Sequence, residues 1–339
     1  MLPPMPVDLQ VISSILLEQK VYITGIARDH ESRCILVYSL REFRWSNLKV
    51  APNYNAPTAV ISGHITLIGG RVSEASITNA VYSWIQKEDD WKQIIPSMPK
   101  ARLESGICHH EGLILVIGGV EDTNQTEPVD TVVVYNFSKK CWVTVRALQL
   151  PKGLQSPQVV MFKEYVYLLG GGTTYPAPLQ HGVDQYNQEA WRARWSVVKG
   201  AVIVAEDAPK LDEHTRVADE EPSKEVESVW KRIADPPVLR PTVVSSKDYL
   251  MAVGGINGGG RPQNGIHAFI DDGKDDEKNV DCCGSWRLMG NMSVGRYRHA
   301  VVPLGSLGAT LFIAGGYVLG NPTGDETHEK TASVELVAL

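Results

Sequence analysis

The sequence predicts an all-β fold built from repeated four-stranded antiparallel sheets. Three observations carry that reading. A β-rich run ending in Gly-Gly recurs along the chain. A short strand bearing an aromatic follows most copies. A Trp-led strand then ends the unit. The Gly-Gly runs are Ile65–Gly70, Leu113–Gly119, Val166–Gly171, Tyr249–Gly255 and Leu311–Gly316, with a degenerate copy, Val21–Gly25, ahead of them. Their first glycines, at 69, 118, 170, 254 and 315, lie 49, 52, 84 and 61 residues apart. A period near 50 with two expansions accounts for all four spacings, and such a period marks a repeat architecture.

Each unit has one inner order. A first apolar strand, such as Ala59-Val60-Ile61 or Val159-Val160-Met161, precedes the Gly-Gly strand. The third strands are Ile35–Tyr38, Ala80–Tyr82, Val132–Tyr135 and Val183–Tyr186, and the fourth are led by Trp45, Trp91, Trp142, Trp230 and Trp286. β-Branched and aromatic enrichment with turn residues between runs is the signature of short strands. Glycine suits a strand end that needs positive φ or close approach to a neighbour. The Tyr and Trp rings supply apolar area between sheets.

Six units result, at about 9–48, 56–95, 106–145, 156–233, 242–289 and 298–339. The last has no Trp-led strand. Leu2-Pro3-Pro4-Met5-Pro6 matches Ile95-Pro96-Ser97-Met98-Pro99, the link after the Trp91 strand, so the chain opens at the exit of a fourth strand. This predicts an incompletely closed last unit, or a chain cut from a longer protein; the alternative is that three strands suffice.

Both expansions fall between third and fourth strands, at about 188–229 and 270–285. Trp230 is preferred over Trp191 and Trp195 as the strand leader, because Trp230 precedes Gly254 by 24 residues, as Trp45 precedes Gly69. Glu206–Glu227 carries net charge −6 with two prolines and reads as flexible, while Val202-Ile203-Val204 could extend a hairpin. Asp271–Asp281 carries net −4. Strands alternate direction, so both acidic expansions should leave from one face; solvating loops without a partner are the plain reading of such runs.

The Gly-Gly, Tyr and Trp pattern resembles the kelch repeat over almost the whole chain. The resemblance implies a six-bladed β-propeller, here a single domain of 339 residues. WD40 propellers repeat at ~40–45 residues and carry a Trp-Asp dipeptide, which this chain lacks.

Composition narrows the function. With 33 basic and 39 acidic residues the net charge is −6, which excludes a generally basic nucleic-acid binder. The two expansions account for −10, leaving the remainder at +4. No apolar run approaches the ~18 residues of a membrane span, and the first residues do not form a secretory signal. Five scattered cysteines do not form a disulfide framework, so a reducing, cytoplasmic setting is expected.

Arginine recurs in the links between units. Arg102 and Arg296 each lie four residues after a Met; Arg240 lies ten after Trp230, as Arg296 lies ten after Trp286. In BTB–kelch adaptors, which the chain is similar to, Arg at this position faces the central opening and binds acidic peptides. The residue after Gly-Gly, here Arg71 and Tyr317, faces the same way in those adaptors. The resemblance thus implies partner contact by Arg71, Arg102, Arg240, Arg296 and Tyr317, with guanidinium forks gripping carboxylates. Leu9, Asn55 and Leu154 stand at the other links. The alternative is that these arginines pair with carboxylates of the sheets.

Catalytic and metal motifs are weak. His109 and His110 neighbour each other in a strand and point to opposite faces. Cys282-Cys283 lacks zinc-site spacing. Glu206, Lys210 and His214 resemble the Glu-x₃-Asp-x₃-His set of iron-binding kelch specifier proteins, but Lys210 replaces the acid. Sequons at Asn124, Asn136 and Asn291 matter only in a secreted chain. The expectation is a non-enzymatic interaction module for a protein or acidic peptide, with no catalytic residue, cofactor, metal, nucleic acid or membrane partner. A larger assembly of the ubiquitin-ligase type enters by analogy of fold alone. The alternative is a kelch-like propeller enzyme acting on a sugar, of the mutarotase type.

Overall fold

The computed structural model describes residues 2–27, 35–124, 127–174, 186–207, 228–273, 283–305, 308–320 and 328–339. Six antiparallel sheets form a ring, each a blade ordered from the centre outward. Blade one comprises Leu9–Leu17, Lys20–Ala27, Ile35–Ser39 and Arg44–Asn47; blade two, Thr58–Ile61, His64–Ile68, Val81–Ile85 and Asp90–Lys92. Blade three comprises Gly106–His110, Leu113–Ile117, Val132–Asn136 and Cys141–Thr144. Blade four comprises Gln158–Phe162, Tyr165–Leu169, Ala190–Arg194 and Lys231–Ile233; blade five, Thr242–Ser245, Leu250–Val253, Gly265–Ile270 and Ser285–Asn291. Blade six comprises Ala300–Leu304, Thr310–Ala314 and Val334–Ala338. Each innermost strand packs on the next around the circle, and Ala300–Leu304 meets Leu9–Leu17 to close it. The molecule is a six-bladed β-propeller. No helix among the described residues is long and apolar enough to cross a membrane.

The second strand of each blade explains the unbroken apolar runs of the sequence. Leu113–Ile117 and Leu250–Val253 are buried at every position, because blades cover both of their faces. The cores accordingly lie between blades. Met5, Leu9, Val21, Leu36 and Tyr38 of the first blade pack with Ala300, Phe312 and Ala314 of the sixth.

Two repeated contacts bind blade to blade. The first runs through Gly-Gly. The second glycine donates its N–H to the link carbonyl of the next blade: Gly70 to Arg102 at 2.8 Å, Gly119 to Leu154 at 2.7 Å, Gly255 to Arg296 at 2.8 Å and Gly316 to Leu9 at 2.9 Å. Close approach forbids a side chain there. Gly118 sits at φ +62°, and a Cβ on it would lie 2.4 Å from the Leu154 carbonyl oxygen. The second contact comes from the outer strand. Each Trp indole donates to a backbone carbonyl at the preceding blade's exit: Trp45 to Pro3 at 3.1 Å, Trp91 to Lys49 at 3.2 Å, Trp142 to Pro96 at 2.8 Å, Trp230 to Leu148 at 2.9 Å and Trp286 to Ala234 at 2.8 Å.

Pro3 therefore stands where Pro96 stands two repeats later. Met5 likewise donates its N–H to Ala332 at 2.8 Å, as Met98 does to Asn79 at 2.9 Å. Incomplete closure of blade six is confined to its outer edge. Leu336 on the outermost described strand is 48% exposed, whereas Val134 at the matching place in blade three is 0% exposed.

Two elements depart from the sequence reading. The third strand of blade four is Ala190–Arg194, not Val183–Tyr186. Residues 183–185 lie outside the described set, and Tyr186 forms an isolated bridge with Gly172. Val202-Ile203-Val204, expected to extend a hairpin, lies in the helix Trp195–Asp207. β-Branched residues are poor helix formers, but packing decides here. Trp195, Val198 and Val202 form one face buried against blades three and four, and Glu111 accepts from the Trp195 indole at 2.9 Å and from Lys199 at 2.7 Å. Most of the acidic stretch expected to be flexible, 208–227, and most of the second, 274–281, lie outside the described residues. Both depart from third-to-fourth-strand connections, and the second is fastened at its start by Arg192 donating to Asp271 at 2.7 Å.

Replacing Trp230 by Phe removes a buried donor and leaves the Leu148 carbonyl unpaired, a loss of about 1–3 kcal/mol. The same change at Trp142, whose bond to Pro96 is solvent-exposed, is expected to cost less. Urea denaturation of the two variants measures the difference.

Candidate functional site

The links between blades turn back toward the axis just before each inner strand. There, short backbone bridges join five links to the residue after the Gly-Gly turn of the blade they enter: Tyr54 with Arg71, Leu103 with Val120, Gln155 with Gly172, Leu239 with Ile256 and Tyr297 with Tyr317. The residue after each bridge is held in the left-handed region. These are Asn55 at φ +52°, Glu104 at +53°, Ser156 at +49°, Arg240 at +51° and Arg298 at +50°. In blade one Val11 takes the place, its N–H donating to the Arg298 carbonyl as Ser156 donates to Glu104. Five non-glycine residues in this conformation are a costly arrangement. Together they ring a cavity of about 330 Å³ on the axis, lined below by the inner strands.

The ring is polar and unevenly charged. Arg240 donates to the Tyr186 hydroxyl at 2.7 Å, with its guanidinium 4.3 Å over the Tyr186 ring and 5.7 Å from that of Tyr297. Burial, then the like charge of Arg298, pull its pKa down to about 10, so it stays charged at neutral pH. Arg298 lines the same cavity, and among the described residues its guanidinium makes no hydrogen bond or ion pair. Glu104 accepts from the Ser156 hydroxyl at 2.9 Å. Around the ring, Asn55 Oδ1, Gln155 Oε1 and both ring nitrogens of His299 are buried without a hydrogen-bond partner among the described residues. Burial, with help from Arg296, holds His299 well below the ordinary histidine range, hence neutral.

The arginines expected to act as one set divide into two. Arg102 and Arg296 are 3% and 1% exposed. Arg102 donates to Gly118 O at 2.8 Å and pairs with Glu121 at 2.8 Å. Arg296 donates to Gly315 O at 3.2 Å and pairs with Glu335 at 2.9 Å. Both guanidiniums are spent on a blade joint, satisfying the first glycine's carbonyl; Asn53 does the same for Gly69 in blade two. Arg240 occupies a different place, two residues further along. The link after Trp230, with Pro236-Pro237, is two residues shorter than the link after Trp286, so counting forward from Trp misplaces it. Arg71 is half-buried at the rim and donates to the Glu74 carbonyl. Tyr317 is buried, stacked on Tyr297 at 5.2 Å, and donates to Gln10 at 2.9 Å, locking blade six to blade one.

The sequence reading passed over Arg298 and Glu104. A signal for them exists. Val11, Asn55, Glu104, Ser156 and Arg240 each lie fourteen residues before the first glycine of their own unit, or before Gly25 in the degenerate one. Arg298 lies seventeen before Gly315, because the turn in blade six is longer.

Replacing Arg296 by Leu strands Glu335 and the Gly315 carbonyl and is expected to cost about 3 kcal/mol or more; Arg298 to Gln should stay within about 0.5 kcal/mol. Thermal melts of the two separate the joint from the rim. The unfolded chain protonates His299 near pH ~6.5, whereas the folded chain resists until lower pH. Unfolded protein then binds more protons, so stability falls as pH drops below that value. A His299→Gln variant should show a shallower acid slope in denaturation midpoints taken from pH 7 to 5.

Comparison with known proteins agrees with this architecture. The Kelch motif family matches residues 101–149. Beta-scruin of Limulus polyphemus is 28% identical over 195 residues, which is 50% of this chain and 20% of that protein. Kelch-like protein 40 of Mus musculus is 27% identical over 179 residues, 51% of this chain and 28% of that protein. The matched stretch thus spans under a third of either relative. The solved structure of YjhT superposes with a TM-score of 0.68 over 100% of this chain and 97% of that one, at 15% identity, a likeness of fold. Six blades joined through Gly-Gly turns and Trp indoles make this chain a β-propeller similar to kelch-repeat proteins, with its third blade matched by the Kelch motif family.

Proposed function

We propose that the propeller is a protein-interaction module that takes an acidic peptide segment of a partner at the mouth of its central cavity. The observation that carries this is the guanidinium of Arg298. It stands at the rim beside Arg240, and no carboxylate of the described residues is paired with either. Guanidinium groups bind carboxylates through two parallel hydrogen bonds, and half-buried rim positions strengthen such a contact without removing it from reach. Arg71 stands at the same face and extends the basic margin toward blade two. Arg102, Arg296 and Tyr317 support the reading indirectly, because they fix the blades that carry the rim. The rim loops rest on a rigid scaffold, the usual arrangement of a binding surface. The curated relatives named kelch-like proteins support a partner that is a protein.

The test uses nine-residue fluorescent peptides of randomised sequence with either Glu or Gln fixed at the centre, titrated by anisotropy. The Glu set is expected to bind and the Gln set to bind at least tenfold more weakly, a difference of ~1.4 kcal/mol. Arg298→Gln should remove the preference while leaving the melting temperature unchanged. Equal binding of both sets, or a preference that survives Arg298→Gln together with Arg240→Gln, overturns the proposal.

A further inference from the structure

The cavity mouth carries a second charge whose position bears on what enters. Around the ring the order is Val11, Asn55, Glu104, Ser156, Arg240 and Arg298, one from each blade in turn. In a six-membered ring the third blade faces the sixth, so Glu104 stands across the axis from Arg298. Their backbones are pinned on opposite walls in the left-handed conformation. No ion pair joins them among the described residues: Glu104 instead accepts from Ser156 beside it. Opposite charges are thus held apart with a cavity between them.

The occupant must satisfy both walls. An acidic group alone would meet the two guanidiniums and leave its other side against the Glu104 carboxylate, a repulsive contact in a partly desolvated space. A volume of about 330 Å³ lies at the low end for ligand pockets, and it admits one or two side chains rather than a folded element.

We infer that the mouth reads a dipolar peptide segment, in which an Asp or Glu seated at Arg298 and Arg240 is accompanied within two residues by a Lys or Arg seated at Glu104. This rests on the reading of the chain as a peptide-binding module and names the partner's local chemistry. Glu104 acts here as a specificity element: it selects the cationic neighbour and rejects a second acid. Ser156 orients it.

The experiment compares three nine-residue peptide sets that differ only at the centre: Glu-Lys, Glu-Gln and Glu-Glu, titrated at ~0.15 M salt, where the Debye length is ~8 Å. Wild type should prefer Glu-Lys over Glu-Gln by about tenfold and Glu-Glu least. Glu104→Gln, which keeps an acceptor for Ser156, should bring the three within about twofold. Glu104→Lys should invert the order, with Glu-Glu strongest. Melting temperatures verify that both variants fold. Equal binding of Glu-Lys and Glu-Gln to wild type, or the tenfold preference persisting in Glu104→Gln, overturns the dipolar inference and leaves acidic-peptide binding standing. Absence of binding by all three sets overturns both.

Discussion

The ring depends on one repeated contact: the N–H of the second glycine of a Gly-Gly pair reaching a carbonyl in the next blade's link, made at four joints. The distance, 2.7–2.9 Å at four joints, requires two successive residues with positive φ and no side chain between the backbones. Everything else is set out from it. The arginines of two joints and the asparagine of a third cap the first glycine's carbonyl. The link, so anchored, turns back through a residue in the left-handed region in five of the six blades, and that residue lines the axial cavity. The bond from Gly316 to Leu9 shows that the last joint is made like the others. The apolar contribution is large but non-directional; the glycine joint supplies the angle between blades.

This dependence explains what could be read from the sequence. Gly-Gly recurs in five blades because the joint leaves no room for a side chain, so the number of blades and their order were legible from spacing. Trp45, Trp91, Trp142, Trp230 and Trp286 were legible for the same kind of reason, each indole donating to a fixed carbonyl. Links between outer and inner strands vary in length. Counting from Trp230 therefore placed Arg240 with Arg102 and Arg296, when its counterpart is Arg298. Counting back from the glycines, where a short turn is the only variable, recovers the rim.

The misread parts of blade four have a different cause. Val183–Tyr186 mimics a third strand in composition, yet Ala190–Arg194 holds the pairing with both neighbours. Val202-Ile203-Val204 has the local preference of a strand. Its neighbours Trp195 and Val198 gain more from lying against blades three and four than the run loses in propensity, and helices in proteins draw most of their stability from such packing. Neither outcome is encoded in the segment concerned; both are decided by surfaces supplied from elsewhere in the chain. The same holds for charge. Arg102, Arg296 and Arg298 are chemically identical, and only the geometry of each link assigns two of them to the framework and one to the opening.

The helix Trp195–Asp207 and both acidic expansions leave from third-to-fourth-strand connections, whereas the rim is built from links and Gly-Gly turns. Antiparallel pairing puts those two classes of connection at opposite ends of every blade. Growth and recognition are thereby uncoupled: the chain can acquire or shed dozens of residues at one pole without moving a backbone atom at the other. An ancestral propeller with this wiring could diversify its size and its surface charge as independent traits, each free of the other's constraint.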